Sequence, residues 1–596
     1  MKKNVLALSI AAMIGGLGFA GIAAADVVPG TGGTGGTVGT TGAAKGVWIP
    51  GATTASTAWK LSATDTRDLS VAQGGTGHSL VVPYFNAQNG NMTVLHVVNT
   101  DQNHGKLAKV RFRSAANSDD ILDFQVFLSP GDVWTAAVTA GSDGVAQLTT
   151  ADGTCTLPAL AKGVSQRFVT DRLSDKAGDV AAQTREGYVE IFNMADIDGN
   201  KFYGTNRNAN SDLYTAIKHV NGTAPCTSSV LNQTLDNITT EAAARTLGLD
   251  TPTTGLMGDW YIINVGQSTT FAGAATALTA VTTTGGTTAG RGNFVHFPQT
   301  STAAPSIESN SSDPLFRVNF TRDNANAAVT TAAIRAANYD LPDLSTPYTL
   351  NAGGTAAVDT RVQAYNLTKA LSVTSITNQY ANDASISAKT DWVFSMPTRR
   401  YSVAANYAAT STTANNYRLY TVLDTGSATG TVAANYAAWF APENTALQGG
   451  LICVNSTGQG FFDREEQSRT SGAVFSPGTV SQTRFCGETS VLSFADTGNS
   501  VLAASVARQN VAAGSASGPF TNGWSVIDTS NSFTTTLGGT YSVPGTANVA
   551  TALATGYASQ AGLPILGASF IKLTNPQAAA GTVGTYGITW PHRFTK

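Results

Sequence analysis

The feature that most constrains this chain is an alternation of polar and apolar side chains with a period of two residues, which returns along most of its length. Lys109-Val110-Arg111-Phe112-Arg113, Asp123 to Leu128, Gly187 to Phe192, Asp259 to Val265 and Asn293 to Phe297 carry it. It comes back in Asp391 to Met396, Leu451 to Asn455, Val491 to Phe494, Trp524 to Ile527 and Ile565 to Leu573. Successive side chains of a strand point to opposite faces, so this pattern describes strands with one buried face. Turn residues punctuate the runs. Ser129-Pro130-Gly131-Asp132 turns the chain, and Asn89-Gly90 between Ser79–Phe85 and Met92–Val98 predicts a hairpin, because Asn-Gly accepts positive φ. The expected fold is mainly β, a discontinuous β-sandwich architecture with short inserted helices.

The helical insertions are predicted at Glu241 to Leu247, Ala327 to Ala337 and Leu367 to Tyr380. Ser402 to Asn435 alternates poorly and reads as a long surface insertion. The expected organisation is a signal peptide over 1–25, a Gly/Thr-rich flexible leader over 26–72 and a first β-rich region over 73–300. A mixed helix and strand insert over 301–400 then returns to the sheet, and a second β-rich region over 401–596 completes the sandwich.

Composition narrows the function classes. The 596 residues include 35 Lys and Arg against 38 Asp and Glu, a net charge of −3, and charged residues make up only 12%. That is about half the usual share for soluble domains. No basic excess exists to neutralise phosphates, which argues against nucleic acid as a partner. The 42% of hydrophobic residues supplies a core and excludes general disorder.

Export is the strongest single expectation. Lys2 and Lys3 precede an apolar stretch from about Val5 to Ala20, and Ala23-Ala24-Ala25 gives a small-residue cleavage pattern before Asp26. The Gly30-Thr31-Gly32-Gly33-Thr34-Gly35 run matches the spacing of a dinucleotide fingerprint, but it lacks the preceding strand and following helix that would place a pyrophosphate. No other stretch reads as a membrane-spanning helix. An outer-membrane barrel fits poorly, because the Ala/Thr-rich helical inserts interrupt the strands.

Cys155, Cys226, Cys453 and Cys486 are even in number in an exported chain, so disulfides are expected. Four Cys allow three connectivities, of which Cys155–Cys226 and Cys453–Cys486 join sequence neighbours. The six His residues show no metal-ligand spacing and there is no HExxH, nucleophile elbow or Walker loop. Asp196, Asp198 and Asn200 place oxygen side chains at alternate positions beside Gly199, a pattern that could take calcium, with an Asx-rich turn as the structural alternative. No other cofactor is expected. Asp119, Asp120, Asp123 and Glu190 are the acids that glycoside chemistry would need, if a deep pocket brought them together. Asp463-Arg464-Glu465-Glu466-Gln467 reads as structural ion pairing, and Trp134, Trp260 and Trp392 as core.

A series of blocks in fixed order resembles a family of exported proteobacterial cell-surface proteins. The blocks include Leu80-Val81-Val82-Pro83-Tyr84-Phe85, Asn117-Ser118-Asp119-Asp120, Leu128 to Thr135 and Gly187-Tyr188-Val189-Glu190. Asp259 to Asn264, Thr390 to Phe394, Pro397 to Tyr401, Asp463 to Gln467, Gly562 to Ile565 and the terminal Tyr586-Gly587 with His592-Arg593 continue them. The resemblance runs from about residue 78 to the end. It implies a surface-exposed, surface-layer-type protein of undefined activity and transfers no catalytic residue.

These readings converge on a non-enzymatic, exported cell-surface protein, a surface-layer or coat subunit whose partners are copies of itself and cell-envelope components. A near-neutral net charge favours such association. The alternative is a surface adhesin or a glycan- or ligand-binding β-sandwich, and a secreted hydrolase comes third.

Overall fold

Alternating strands need partners for both their hydrogen-bonding edges and their apolar faces, and the chain supplies these in layers. A computed structural model describes residues 26–30, 32, 60–170, 173–198, 211–235, 238–299, 348–350, 354, 360–401, 403–405, 418–420, 440, 444–470, 483–494, 500–511, 519–530, 562–579 and 582–596. The fold is mainly β, with several sheets and short helices.

The first half forms two facing sheets. An eight-stranded sheet is centred on the long strands His104–Ser114 and Glu186–Asp198, which pair antiparallel. A six-stranded sheet is centred on Asn91–Asn99 and Leu256–Asn264. Between them lies a buried apolar core with Val82, Val110 and Phe112 from one sheet and Leu95, Trp134 and Trp260 from the other. The alternation predicted for Asp259 to Asn264 is visible in burial, where every second residue is buried.

The second half adds two five-stranded sheets. One has Lys389–Ser395 at its centre, flanked by Thr489–Ser493 and Leu566–Ala579, with Thr582–Pro591 at its edge. The other contains Gly458–Phe462, Asn522–Asp528, Ser375–Ala381 and Arg593–Thr595. The strand Lys389–Ser395 contributes an apolar side chain to a core on each face. Val393 joins the core of the first half together with Phe570, whereas Trp392 and Phe394 join the second core with Tyr380, Phe461 and Phe494. Phe570 reaches between the first two sheets, with ring centroids 5.4 Å from Phe271 and 5.8 Å from Trp260. A Cβ on Gly587 would lie 2.2 Å from the carbonyl oxygen of Thr270, so only glycine lets the terminal strand approach the six-stranded sheet this closely.

Several expectations are corrected. Asn89 and Gly90 do adopt positive φ, at 48° and 80°, but the strands they join enter different sheets. The turn is an arch across the core instead of a hairpin, and Thr93 Oγ1 closes it by donating to the Asn86 carbonyl at 2.9 Å. The helix expected over Leu367–Tyr380 occupies Thr360–Leu371 and gives way to the strand Ser375–Ala381, whose Ile and Thr residues suit a pleated surface. The leader expected to be flexible is built in at both described ends. Asp26–Val28 pairs with Phe294–His296, and Asp68–Val71 pairs with Thr276–Val281. Val27 and Val28 pack against the core there, which a Gly/Thr run could not do.

The helix at Glu241–Thr246 is present, capped by Thr240. Residues 1–25 and the expected helix Ala327–Ala337 lie outside the described residues. Within Ser402–Asn435 only Val403–Ala405 and Arg418–Tyr420 are described, and they pair with each other. Trp134, Trp260 and Trp392 are buried as expected.

Candidate functional site

The acids singled out at Asp119 to Asp123, Glu190, Asp196 and Asp198 lie in or against the eight-stranded sheet, and Asp463 to Gln467 join two strands of a five-stranded one. Asp196 and Asp198 sit within an extended strand, not in a turn, and both are buried. The Asp196 carboxylate accepts from Lys106 Nζ at 2.7 Å and from Thr253 Oγ1 at 2.6 Å, and Asn193 Nδ2 donates to it at 3.1 Å. Asn200 lies outside the described residues. Asp101, His104 and Asp196 do come together, with potential ligand atoms within 4.8 Å of one another. The ammonium of Lys106 also lies 3.2 Å from Asp101, so a protein cation already compensates both carboxylates. The His104 imidazole, 2.9 Å away, helps hold the Asp101 carboxyl well below its ordinary range against the opposing effect of burial.

Of the acids considered for hydrolysis, Asp119 is buried, and Asp120, Asp123 and Glu190 lie beside basic partners. Glu190 pairs with Arg113 Nε at 2.9 Å, and Asp120 lies 3.9 Å from the same guanidinium. Asp123 pairs with Lys109 and accepts from Gln299 Nε2 at 2.8 Å. Burial alone would raise the Asp123 pKa, but Lys109 and Arg111 bring it down to about 2. Arg111 itself stands over the Phe297 ring, 4.3 Å from its centroid. Asp463 is not in an ion pair among the described residues. Its Oδ1 instead accepts from the backbone N–H groups of Glu465 and Gln467, closing a local turn.

Both disulfides are formed, Cys155–Cys226 and Cys453–Cys486. The structure thus selects the pairing of sequence neighbours. Cys453 and Cys486 face each other directly on adjacent strands.

A cleft of about 740 Å³ opens where the two halves meet, in the size range of small-ligand sites. One wall is the central pair of the first five-stranded sheet, a second is the turn after Leu256–Asn264, and the third is the segment 500–508. Lys389, Lys572 and Arg508 line it, and among the described residues its lining holds no carboxylate and no aromatic ring. Asn89, Gln267, Ser500 and Ser505 contribute amide and hydroxyl groups. Lys389 and Lys572 are directly opposite each other on paired strands. Lys572 Nζ donates to Gln267 Oε1 at 2.9 Å, and neither lysine makes an ion pair among the described residues. Partial burial, with the charge of Lys389, pushes the Lys572 ammonium below its ordinary pKa.

Two buried carboxylates fix the third wall. Asp391 accepts from Ser500 Oγ and, at 2.9 Å, from the Leu502 N–H. Glu186 accepts from the Ser505 N–H at 2.7 Å and from Tyr84 at 3.1 Å. Burial raises the pKa of both acids. The Leu502 carbonyl accepts from the side-chain amides of Asn86 and Asn91 at 2.9 and 2.8 Å, tying the wall to the arch at Asn89-Gly90. Ala503, on the cleft surface, holds a left-handed backbone at φ 54°. Non-glycine residues in that region are strained and persist where surrounding contacts enforce them.

The sequence pattern did not reveal this cleft. Lys389 and Lys572 each look like one polar position in a strand, and only the sheet register makes them neighbours. No protein-family model matches the chain, and comparison with characterised proteins and with solved structures finds no match.

Proposed function

We propose that this is an exported, non-enzymatic structural protein of the cell surface that assembles with copies of itself and with envelope components into a layer or coat. The observation that supports it most is the terminal hairpin. Residues 575–579 are exposed, and the edge strand Thr582–Pro591 presents Val583, Tyr586 and Trp590 with relative exposures of 60%, 55% and 41%. No charged residue occurs from Leu573 to Pro591. Soluble proteins ordinarily protect such an edge with Lys or other charged side chains. At Gly587 the strand already lies against Thr270 of the same chain, so the exposed part, residues 575–579 with Val583 and Tyr586, is what is left for a second copy, and its lack of charge avoids like-charge repulsion between copies.

Two further facts support export. The chain carries two disulfides, as expected in an oxidising compartment, and no helix among the described residues is long and apolar enough to cross a membrane.

The test is light scattering and electron microscopy of the protein purified from its native compartment, with Tyr586→Lys and Trp590→Lys as variants. Ordered assemblies that the variants disperse would support the reading. A wild-type chain that stays monomeric at high concentration, and a cell surface unchanged on its deletion, would reject it. The basic cleft favours a second reading, a surface adhesin or ligand-binding protein.

A further inference from the structure

We propose that the cleft between Lys389, Lys572 and Arg508 binds a segment of an acidic polysaccharide through its carboxylate or sulfate groups. The inference deepens the ligand-binding reading and is independent of self-assembly.

Like charges placed directly opposite on paired strands destabilise a sheet. Lys389 and Lys572 are so placed at the centre of a five-stranded sheet, in a chain where charged residues are scarce. Elsewhere in this protein fully buried cations are compensated from within, Lys106 by Asp101 and Asp196, Lys109 by Asp123 and Arg113 by Glu190, whereas Lys389 and Lys572 are half-buried and open to the cleft. The two cleft lysines have no such partner among the described residues, and the nearby acid Asp391 spends Oδ2 on Ser500 and Leu502. An external anion supplies the missing charge.

The shape and remaining chemistry narrow the anion. A volume of about 740 Å³ is far larger than one phosphate or sulfate needs. Asn89, Gln267, Ser500 and Ser505 offer donors and acceptors suited to sugar hydroxyls. No described lining residue gives an aromatic platform for stacking a nucleobase, which disfavours single-stranded nucleic acid. The wall carrying Ser500 and Ser505 is anchored on Asp391 and Glu186, so it is organised before a ligand arrives and little ordering cost remains.

The test is calorimetric titration of the full exported chain with hexameric oligogalacturonate, with maltohexaose as the neutral counterpart and with inorganic phosphate. Lys389→Gln and Lys572→Gln are the site variants, and Lys162→Gln is the surface control. Near-UV circular dichroism verifies folding. The proposal expects oligogalacturonate to bind at least tenfold more tightly than phosphate, to weaken as NaCl rises, and to lose at least tenfold in each site variant but not in the control. Maltohexaose should give no heat. Absence of oligogalacturonate binding by the folded wild type, or unchanged binding by both site variants, would overturn it. Phosphate binding as tight as the oligomer would overturn the polysaccharide assignment. Self-assembly is read separately by light scattering, so failure of the coat reading and failure of this one are distinguishable.

Discussion

The imidazole of His592 accepts a hydrogen bond from the side-chain amide of Asn378 at Nδ1, at 2.9 Å, while its Nε2 donates to the Val393 carbonyl at 2.9 Å. Only the neutral ring can do both, because protonation converts the accepting nitrogen into a donor facing a donor. His78 repeats the arrangement, with Nδ1 accepting from the Ala280 N–H at 3.2 Å and Nε2 facing the Gly290 carbonyl at 3.0 Å. His296 Nδ1 accepts from the Ile238 N–H at 3.3 Å.

A pH dependence of stability follows. Burial lowers the pKa of His78 to about 4 and those of His296 and His592 to about 3. The unfolded chain, with His near 6.5, therefore binds more protons than the folded one below that pH, and stability is lost as pH falls through this window. Each His costs about 2 kcal/mol between pH 7 and pH 5. Glu186 and Asp391, whose pKa values burial raises, act in the opposite sense and flatten the acid end of the curve. Urea unfolding at pH 7, 6 and 5 should show the decline, and His592→Gln should remove about a third of it. A flat profile would contradict the neutral assignment.

The Arg113–Glu190 pair gives a second expectation. Both side chains are at most 5% exposed. Removing one partner of a buried ion pair strands the other, so Glu190→Ala should destabilise by about 3–5 kcal/mol. Glu190→Gln keeps an acceptor near the guanidinium and should cost less. Equilibrium unfolding of the two variants distinguishes a structural ion pair from an acid held in reserve for catalysis.

The disulfides give a third. In the loop-entropy model, bridges spanning 71 and 33 residues each contribute about 4 kcal/mol. Thiol titration of the unfolded protein should find no free thiol before reduction and four after it. Reduction should lower the melting temperature, and Cys155→Ser with Cys226→Ser should reproduce part of that loss.

A fourth expectation sets stability against binding. Lys389→Glu turns the opposed lysines into an opposite-charge pair with Lys572, a change worth roughly 0.5–1 kcal/mol in a sheet. The variant should melt higher than wild type while losing oligogalacturonate binding. A lower melting temperature would show that the wild-type sheet already compensates the two charges.

What could be read in the sequence was what depends on neighbours a few residues away. The strands at Asp259–Asn264 and Asp391–Ser395 show in their alternation, because period two is a property of the strand itself. Asn89-Gly90 announced a turn with positive φ, yet nothing local says whether the next strand joins the same sheet or crosses to the facing one. Ser375–Ala381 was hidden because its apolar positions also fit one helical face. The Asp196-Ile197-Asp198 spacing looks the same in a turn as in a strand, and Lys106, which decides its chemistry, lies 90 residues away. The cleft depends on the register between Lys389–Ser395 and Leu566–Ala579 and on the distant segments that form its other walls, so no local pattern records it.

The position of Phe570 has a consequence for the order in which the molecule is made. It fills space between two sheets whose strands come from the first 300 residues, beside Tyr84, Trp260 and Phe271. A ribosome needs on the order of tens of seconds to travel from those strands to this ring. Throughout that interval the first core lacks Phe570, and for part of it also Val393, Val491, Val501, Leu502, Ala504 and Ala568, which the second half contributes to the same cluster. Final packing of the first two sheets therefore waits on residues near the C-terminus, so the first half cannot complete its core until almost the whole chain has been synthesised.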